Sequence, residues 1–241
     1  SIKTRRSHNH IFSIQNYVGE WITDEDEIRR SAADFFEEYF MGTPQVICQP
    51  LCLPVYRSLD ISEVASLSRE FTTEEIKVVV FVADDDSAPD TDGFGTLFFK
   101  ETWEVTRMDV TDGILDFFNN LTMPEQLKLS RLMLVPKGAS QNSFNNFWPV
   151  AVSSLLYRFI AKLLVNRIKL VLHKLVGPNQ SAFMEGRQIS NNILLCQELL
   201  HDYHCDMGMP RFVAKLDLLK AYDSVQWSFW FTLLNYLNFP P

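Results

Sequence analysis

An α+β fold rich in helix follows from three features of the sequence: acidic capping signals at 23–28 and 72–75, two short apolar runs at 132–137 and 147–152 separated by a polar loop, and apolar residues at helical spacing from 153 to 176. With 241 residues, 46% of them apolar, the chain can bury a core and form one or two domains.

Taken in order, Thr23-Asp-Glu-Asp26 has a capping-box spacing whose acids complement a helix N-terminus; Ala32, Ala33, Phe35, Phe36, Tyr39 and Phe40 continue that helix, and Gly42 and Pro44 end it. A proline-rich connector, Gln49-Pro50-Leu-Cys-Leu-Pro54, leads to Thr72-Thr73-Glu74-Glu75. The β-branched run after it is open to helix or strand, and the cap favours a helix start. Residues 84–93 form a polar turn cluster, and 94–118 reads as an amphipathic helix. The runs 132–137 and 147–152 pair as a hairpin. Leu156, Phe159, Ile160, Leu163, Leu164, Ile168, Val171, Leu172 and Leu175 line one face of the long helix, which Gly177-Pro178 terminates. A helix at 191–203, a buried strand at 212–218 and a helix at 224–237 complete the chain.

The net charge of −8 argues against a nucleic-acid partner, but the charges are segregated. Between Glu20 and Glu125, 24 acids face seven bases; between Arg131 and Arg187, eight bases face only Glu185. The basic stretch is the better guide to a phosphate-rich ligand. Four cysteines without paired spacing are read as reduced thiols, and Cys196, His201, His204 and Cys205 do not have the spacing of a structural zinc site. No apolar run reaches the ~20 residues of a membrane span, and the start lacks a secretory leader, so an intracellular protein is expected.

The chemistry is concentrated in Phe212-Val-Ala-Lys-Leu-Asp217-Leu218-Leu-Lys220-Ala-Tyr222-Asp223. A carboxylate inside an apolar strand needs a cation or a donor to offset its desolvation, and Asp217 is therefore a candidate metal ligand. An ion-paired strand residue explains the local pattern as well. Flanking segments decide between these readings. Gln180-Ser-Ala-Phe183-Met-Glu-Gly186-Arg187, Leu134-Val-Pro136-Lys137 and Ala88-Pro-Asp-Thr-Asp92-Gly93-Phe94 occur in order before it.

Together these segments resemble the reverse transcriptases of LINE-type (non-LTR) retrotransposons, in the form common in plant genomes. The resemblance covers about residues 84 to 240 and implies the fingers and partial palm of a right-hand polymerase. It places a linker with an N-terminal helical region at 1–70 and the reverse transcriptase domain at 71–241. It implies RNA-directed DNA synthesis, Mg²⁺ held by Asp217 and the Leu218 carbonyl, Lys137 on the incoming triphosphate and Tyr222 beneath the sugar. Gln180, Phe183, Gly186 and Arg187 would shape the template side, and Asp223 would order the turn after Asp217. Arg187 and Lys169 also suit template or primer phosphates, with a solvated helix or loop face as the alternative for each. The implied partners are an RNA template, a DNA primer and deoxynucleoside triphosphates; the implied location is the nucleus.

Three departures qualify the resemblance. Trp148 stands where the family usually carries an arginine that clamps the triphosphate, and an indole cannot supply that charge. Asp90 and Thr91 replace the usual Gly-Pro. The chain stops before the Asp-Asp box, so it is expected to be a fragment of a retrotransposon polyprotein, inactive alone. The alternatives are a noncatalytic RNA-binding or protein-interaction remnant, and a pseudogene product with a poorly packed palm.

Overall fold

The computed structural model describes residues 10–41, 57–85, 93–138, 140–201, 203, 212–217 and 225–240. They contain helices and two separate two-stranded antiparallel sheets, in keeping with the α+β class. The chain divides into two compact units, residues 1–45 with 70–165, and residues 46–69 with 166–241.

In the first unit, β1 (Ile14–Gln15) pairs with β2 (Trp21–Ile22), a small hairpin that the sequence reading missed. Helix α1 (Glu25–Met41) follows, and Asp24 caps it: its carboxylate accepts the Glu27 N–H at 3.0 Å, one residue beyond the Thr23 expected from the sequence. Its expected stop at Gly42 and Pro44 lies outside the described residues, as do the proline-rich connector and most of the 84–93 turn.

Helix α3 (Thr73–Val82) settles the ambiguous β-branched run. Thr72 accepts from the Glu75 N–H while the Glu75 carboxylate accepts from the Thr72 N–H, a complete capping box. The preceding α2 (Ile61–Ser68) belongs to the second unit and was not anticipated.

The amphipathic stretch from Phe94 onward forms two helices instead of one, α4 (Thr96–Glu101) and α5 (Trp103–Asn120). Thr102 leaves helical geometry at φ −99°, ψ 13°, and breaks the run. After the short α6 (Glu125–Lys128), strands β3 (Arg131–Pro136) and β4 (Phe147–Val152) pair in the register Val135 with Trp148 and Pro136 with Phe147. A 3₁₀ turn at Phe144–Asn146 precedes β4.

Helix α7 (Leu155–Leu175) begins in the first unit and ends in the second. Ser154 caps it, accepting the Tyr157 N–H and donating to the Leu127 carbonyl.

Two apolar clusters hold the first unit. Ile76, Val79 and Val80 of α3, Trp103, Val110 and Ile114 of α5, and Leu155, Phe159, Ile160 and Leu163 of α7 form the larger one. Ile14, Ile22, Ile28, Phe36, Phe144 and Phe147 form the other, with Leu134 packed against it. This second cluster anchors one face of the β3–β4 hairpin.

In the second unit, α8 (Ile189–Leu200) and α9 (Trp227–Tyr236) follow α7. Of the buried strand expected at 212–218, the described part is no strand: residues 212–217 are irregular, and Phe212 and Leu216 are 88% and 90% exposed. Apolar composition alone does not make a strand, because the backbone needs a ladder partner and none flanks this segment among the described residues. No helix of the described residues is long and apolar enough to cross a membrane.

Candidate functional site

The candidate residues fall in both units. In the first, Lys137 lies just past β3 and is fixed at the backbone, where its N–H donates to the Asn146 carbonyl at 2.8 Å. Its ammonium donates to the Asn145 carbonyl at 2.8 Å and sits 4.6 Å from the centroid of the Trp148 ring. Trp148 lies opposite Val135, and Lys137 is two residues beyond Val135, so strand alternation puts both side chains on one face. Lys137 and Trp148 lie eleven residues apart with no local pattern linking them; the hairpin register brings them together.

The other face of the hairpin packs inward, where Phe147 is 1% exposed, whereas Trp148 is 58% exposed. Met133, Val135 and Val150 are also exposed. The hairpin thus presents an apolar, aromatic surface with an ammonium at one end, a combination suited to a ligand that is both flat and anionic.

In the second unit, the loop after α7 has a guanidinium at its centre. Arg187 donates to the carbonyls of Gly177 at 2.5 Å, Gln180 at 2.7 Å and Val176 at 3.1 Å. The Val176 and Gly177 carbonyls lie at the α7 C-terminus, where backbone acceptors lack helical partners and a positive charge is favourable. Arg187 is therefore bound within the chain. Gln180 donates from its side-chain amide to the Ala182 carbonyl at 3.0 Å, and Asn192 from α8 reaches the Asn179 carbonyl at 3.1 Å. Gly186 has φ +77°, which glycine adopts freely. Phe183 also has positive φ, +62°, and is 88% exposed, a strained backbone that holds a phenyl ring toward solvent. Lys169 is exposed and pairs with Glu185 at 3.4 Å.

The basic stretch seen in the sequence is partly structural. Arg167, 4% exposed, donates to the Leu67 and Arg69 carbonyls at the end of α2. Lys174 donates to Glu63, which also accepts the Asp60 N–H at 2.9 Å in the capping box at the start of α2. Two cations of α7 thus hold α2 at both ends.

The Lys174 hydrogen bond, then the Asp60 N–H, hold the Glu63 carboxyl below its ordinary value. The Ser62 hydroxyl, then the Glu63 N–H, do the same for Asp60. Because both carboxyls are more acidic folded than unfolded, their contribution is fully present above the unfolded value and is lost as pH falls through the folded one. The thermal midpoint of the wild-type chain should therefore fall as pH drops below about 4, the usual carboxylate range. Glu63→Gln should lower the midpoint at pH 7 and flatten that acid limb; an equally steep limb in the variant would count against the network.

Asp217 is an exposed carboxylate on the irregular segment. Leu218, Tyr222 and Asp223 lie outside the described residues. Among the described residues no group of three or more histidine, cysteine, aspartate or glutamate side chains gathers to hold a metal ion. Asp217 does not by itself fit the coordination of a divalent cation, which takes several oxygen ligands.

Residues 135–241 match the family model described as reverse transcriptase (RNA-dependent DNA polymerase). Over 223 residues, 91% of this chain, the sequence is 26% identical to the transposon TX1 uncharacterized 149 kDa protein of Xenopus laevis, covering 17% of that protein. Over 122 residues, 48% of the chain, it is 26% identical to the retrovirus-related Pol polyprotein from type-2 retrotransposable element R2DM of Drosophila melanogaster, covering 11% of it. The chain spans less than a fifth of the length of these curated relatives.

Proposed function

We infer that this chain, which over residues 135–241 belongs to the reverse transcriptases of LINE-type (non-LTR) retrotransposons, contributes the fingers and the start of the palm to RNA-templated DNA synthesis. The observation that carries the reading is that Lys137, the 180–187 loop and Asp217 all lie within the matched residues, in the order of the family's motifs. Reverse transcriptases act on a nucleic-acid template and deoxynucleoside triphosphates, and they use a divalent metal.

In the proposed enzyme, an RNA template and DNA primer lie against the domain formed by 71–241, with 1–70 as the N-terminal helical linker. Lys137 supplies a cation to the incoming triphosphate, and Tyr222 lies beneath the sugar. Gln180, Phe183 and Gly186 shape the template side, where Arg187 holds the loop from within. Asp223 orders the turn after Asp217. Magnesium is the assigned ion, with Asp217 and the Leu218 carbonyl as this chain's ligands to it. The site of action is the nucleus.

Residues 1–241 by themselves do not turn over. The reading rests on Trp148, which stands where the family carries an arginine and brings no phosphate-clamping charge.

A labelled RNA–DNA template–primer titrated with the 241-residue chain tests the reading. Binding should weaken steadily as salt rises, as expected when cations neutralise phosphates, with no primer extension in Mg²⁺ and all four deoxynucleotides. Absence of salt-dependent binding would overturn the polymerase role. Extension abolished by Asp217→Ala would overturn the statement that the chain alone is inert. Salt-dependent binding to unprimed RNA equal to that of the template–primer would favour a noncatalytic RNA-binding module.

A further inference from the structure

We propose that Trp148 is a positioning residue that holds the Lys137 ammonium at one point on the hairpin, and that the pair forms a single-cation binding point for a polyphosphate. The proposal rests on the reading of Lys137 as the triphosphate cation and adds how that cation is placed.

The supporting geometry comes from both strands. Phe144 and Phe147 are 2% and 1% exposed and fix the turn and the start of β4 in the core. The Lys137 N–H bond to Asn146 fixes the lysine backbone against that turn. A lysine side chain leaving such an anchor would ordinarily sample many rotamers, and ordering it on ligand binding is unfavourable. Here the Asn145 carbonyl takes one N–H, and the indole face attracts the charge from 4.6 Å. An ammonium has three donors, so these contacts leave capacity for phosphate oxygens. Both residues are solvent-exposed, which lets an anion approach.

An arginine at position 148 would act differently. Its guanidinium would place a second positive charge beside Lys137, adding a bidentate grip at the cost of mutual repulsion in the free protein. The indole reverses that balance, since it contributes no charge and attracts the one present. The two designs therefore differ in the number of cations offered, and salt dependence reads that number.

The probe is sodium tripolyphosphate, titrated into the 241-residue chain while the lysine ε-methylene signals are followed by ¹³C–¹H NMR. In the wild type, the Lys137 ε-methylene should resonate upfield of the other lysines because of the indole ring current. It should move on titration. Trp148→Leu should remove the upfield displacement and weaken tripolyphosphate binding about two- to fivefold, the worth of an exposed cation–π contact. Trp148→Phe should retain both in reduced form. Because Trp148 is largely exposed, these variants keep the core intact. Lys137→Ala should abolish binding at the hairpin.

Affinity in Trp148→Leu equal to wild type, or a Lys137 signal unmoved by removal of the ring, would overturn the proposal even if Lys137→Ala still abolished binding. Tripolyphosphate affinity unchanged in Lys137→Ala would instead overturn the underlying assignment of Lys137 to the triphosphate. The two failures have different signatures.

Discussion

Phe159→Ala should destabilise the first unit by about 3–5 kcal/mol, the usual cost of deleting a fully buried aromatic ring. Phe159 is 2% exposed and lies within the larger cluster, alongside residues from α3 and α5. Its ring meets Phe99 edge-on at 6.1 Å between centroids, so truncation removes a favourable aromatic contact and leaves a cavity. Domains of this size have total stabilities of about 5–15 kcal/mol, so the loss is a large fraction of what is available. Followed by circular dichroism, the melting midpoint should fall on the order of 10 °C. Tyr157→Ala, two residues away on the exposed side of the helix, is the control and should move the midpoint little. A displacement no larger for Phe159→Ala than for the control would mean that α7 does not pack as described.

Arg187→Ala should release the loop between α7 and α8. Its guanidinium serves three carbonyls at once, and hydrogen bonds to charged groups contribute about 1.5–3 kcal/mol each, less when several share one donor group. A net loss on the order of 3 kcal/mol follows for the second unit. The change should be local: amide hydrogen exchange should accelerate between residues 176 and 187 while α3 and α5 keep their protection. Arg187→Lys should recover only part of it, because an ammonium lacks the planar fork that reaches several acceptors. Unchanged exchange in 176–187 for the alanine variant would refute the staple.

The assignment of charged residues shows where sequence reading reached its limit. Eight bases against one acid between Arg131 and Arg187 indicated a phosphate-binding surface. Arg167, Lys174 and Arg187 instead satisfy carbonyls and a carboxylate of their own unit. The partners of Arg167 and Lys174, Leu67 and Glu63, lie about a hundred residues upstream. Such pairings have no local signature; only packing α2 beside α7 creates them.

Local chemistry was more legible. Thr72 and Glu75 satisfy each other's backbone donors within four residues, and that box favours a helix start for α3 despite its valines. Pairing of β3 with β4 was likewise visible in two apolar runs flanking a polar loop. The break at Thr102 escaped notice because neither glycine nor proline marks it. The segment at 212–217 has strand composition, but ladder formation depends on a neighbour that composition does not specify. The carboxylate of Asp217 was found by its setting in an apolar run, yet that setting does not disclose which side chains meet it.

The proline in β4 has a consequence for association between chains. A two-stranded sheet has two outer edges, each able to template a further strand. Pro149 lies within β4, opposite Leu134, and has no N–H to offer. Proline within a strand is accommodated where the ladder does not require its nitrogen, so the missing donor belongs to the outward side of β4. An incoming strand would find that edge interrupted midway. The hairpin can therefore expose Met133, Val135, Trp148 and Val150 while resisting edge-to-edge polymerisation, which an uninterrupted apolar strand would invite.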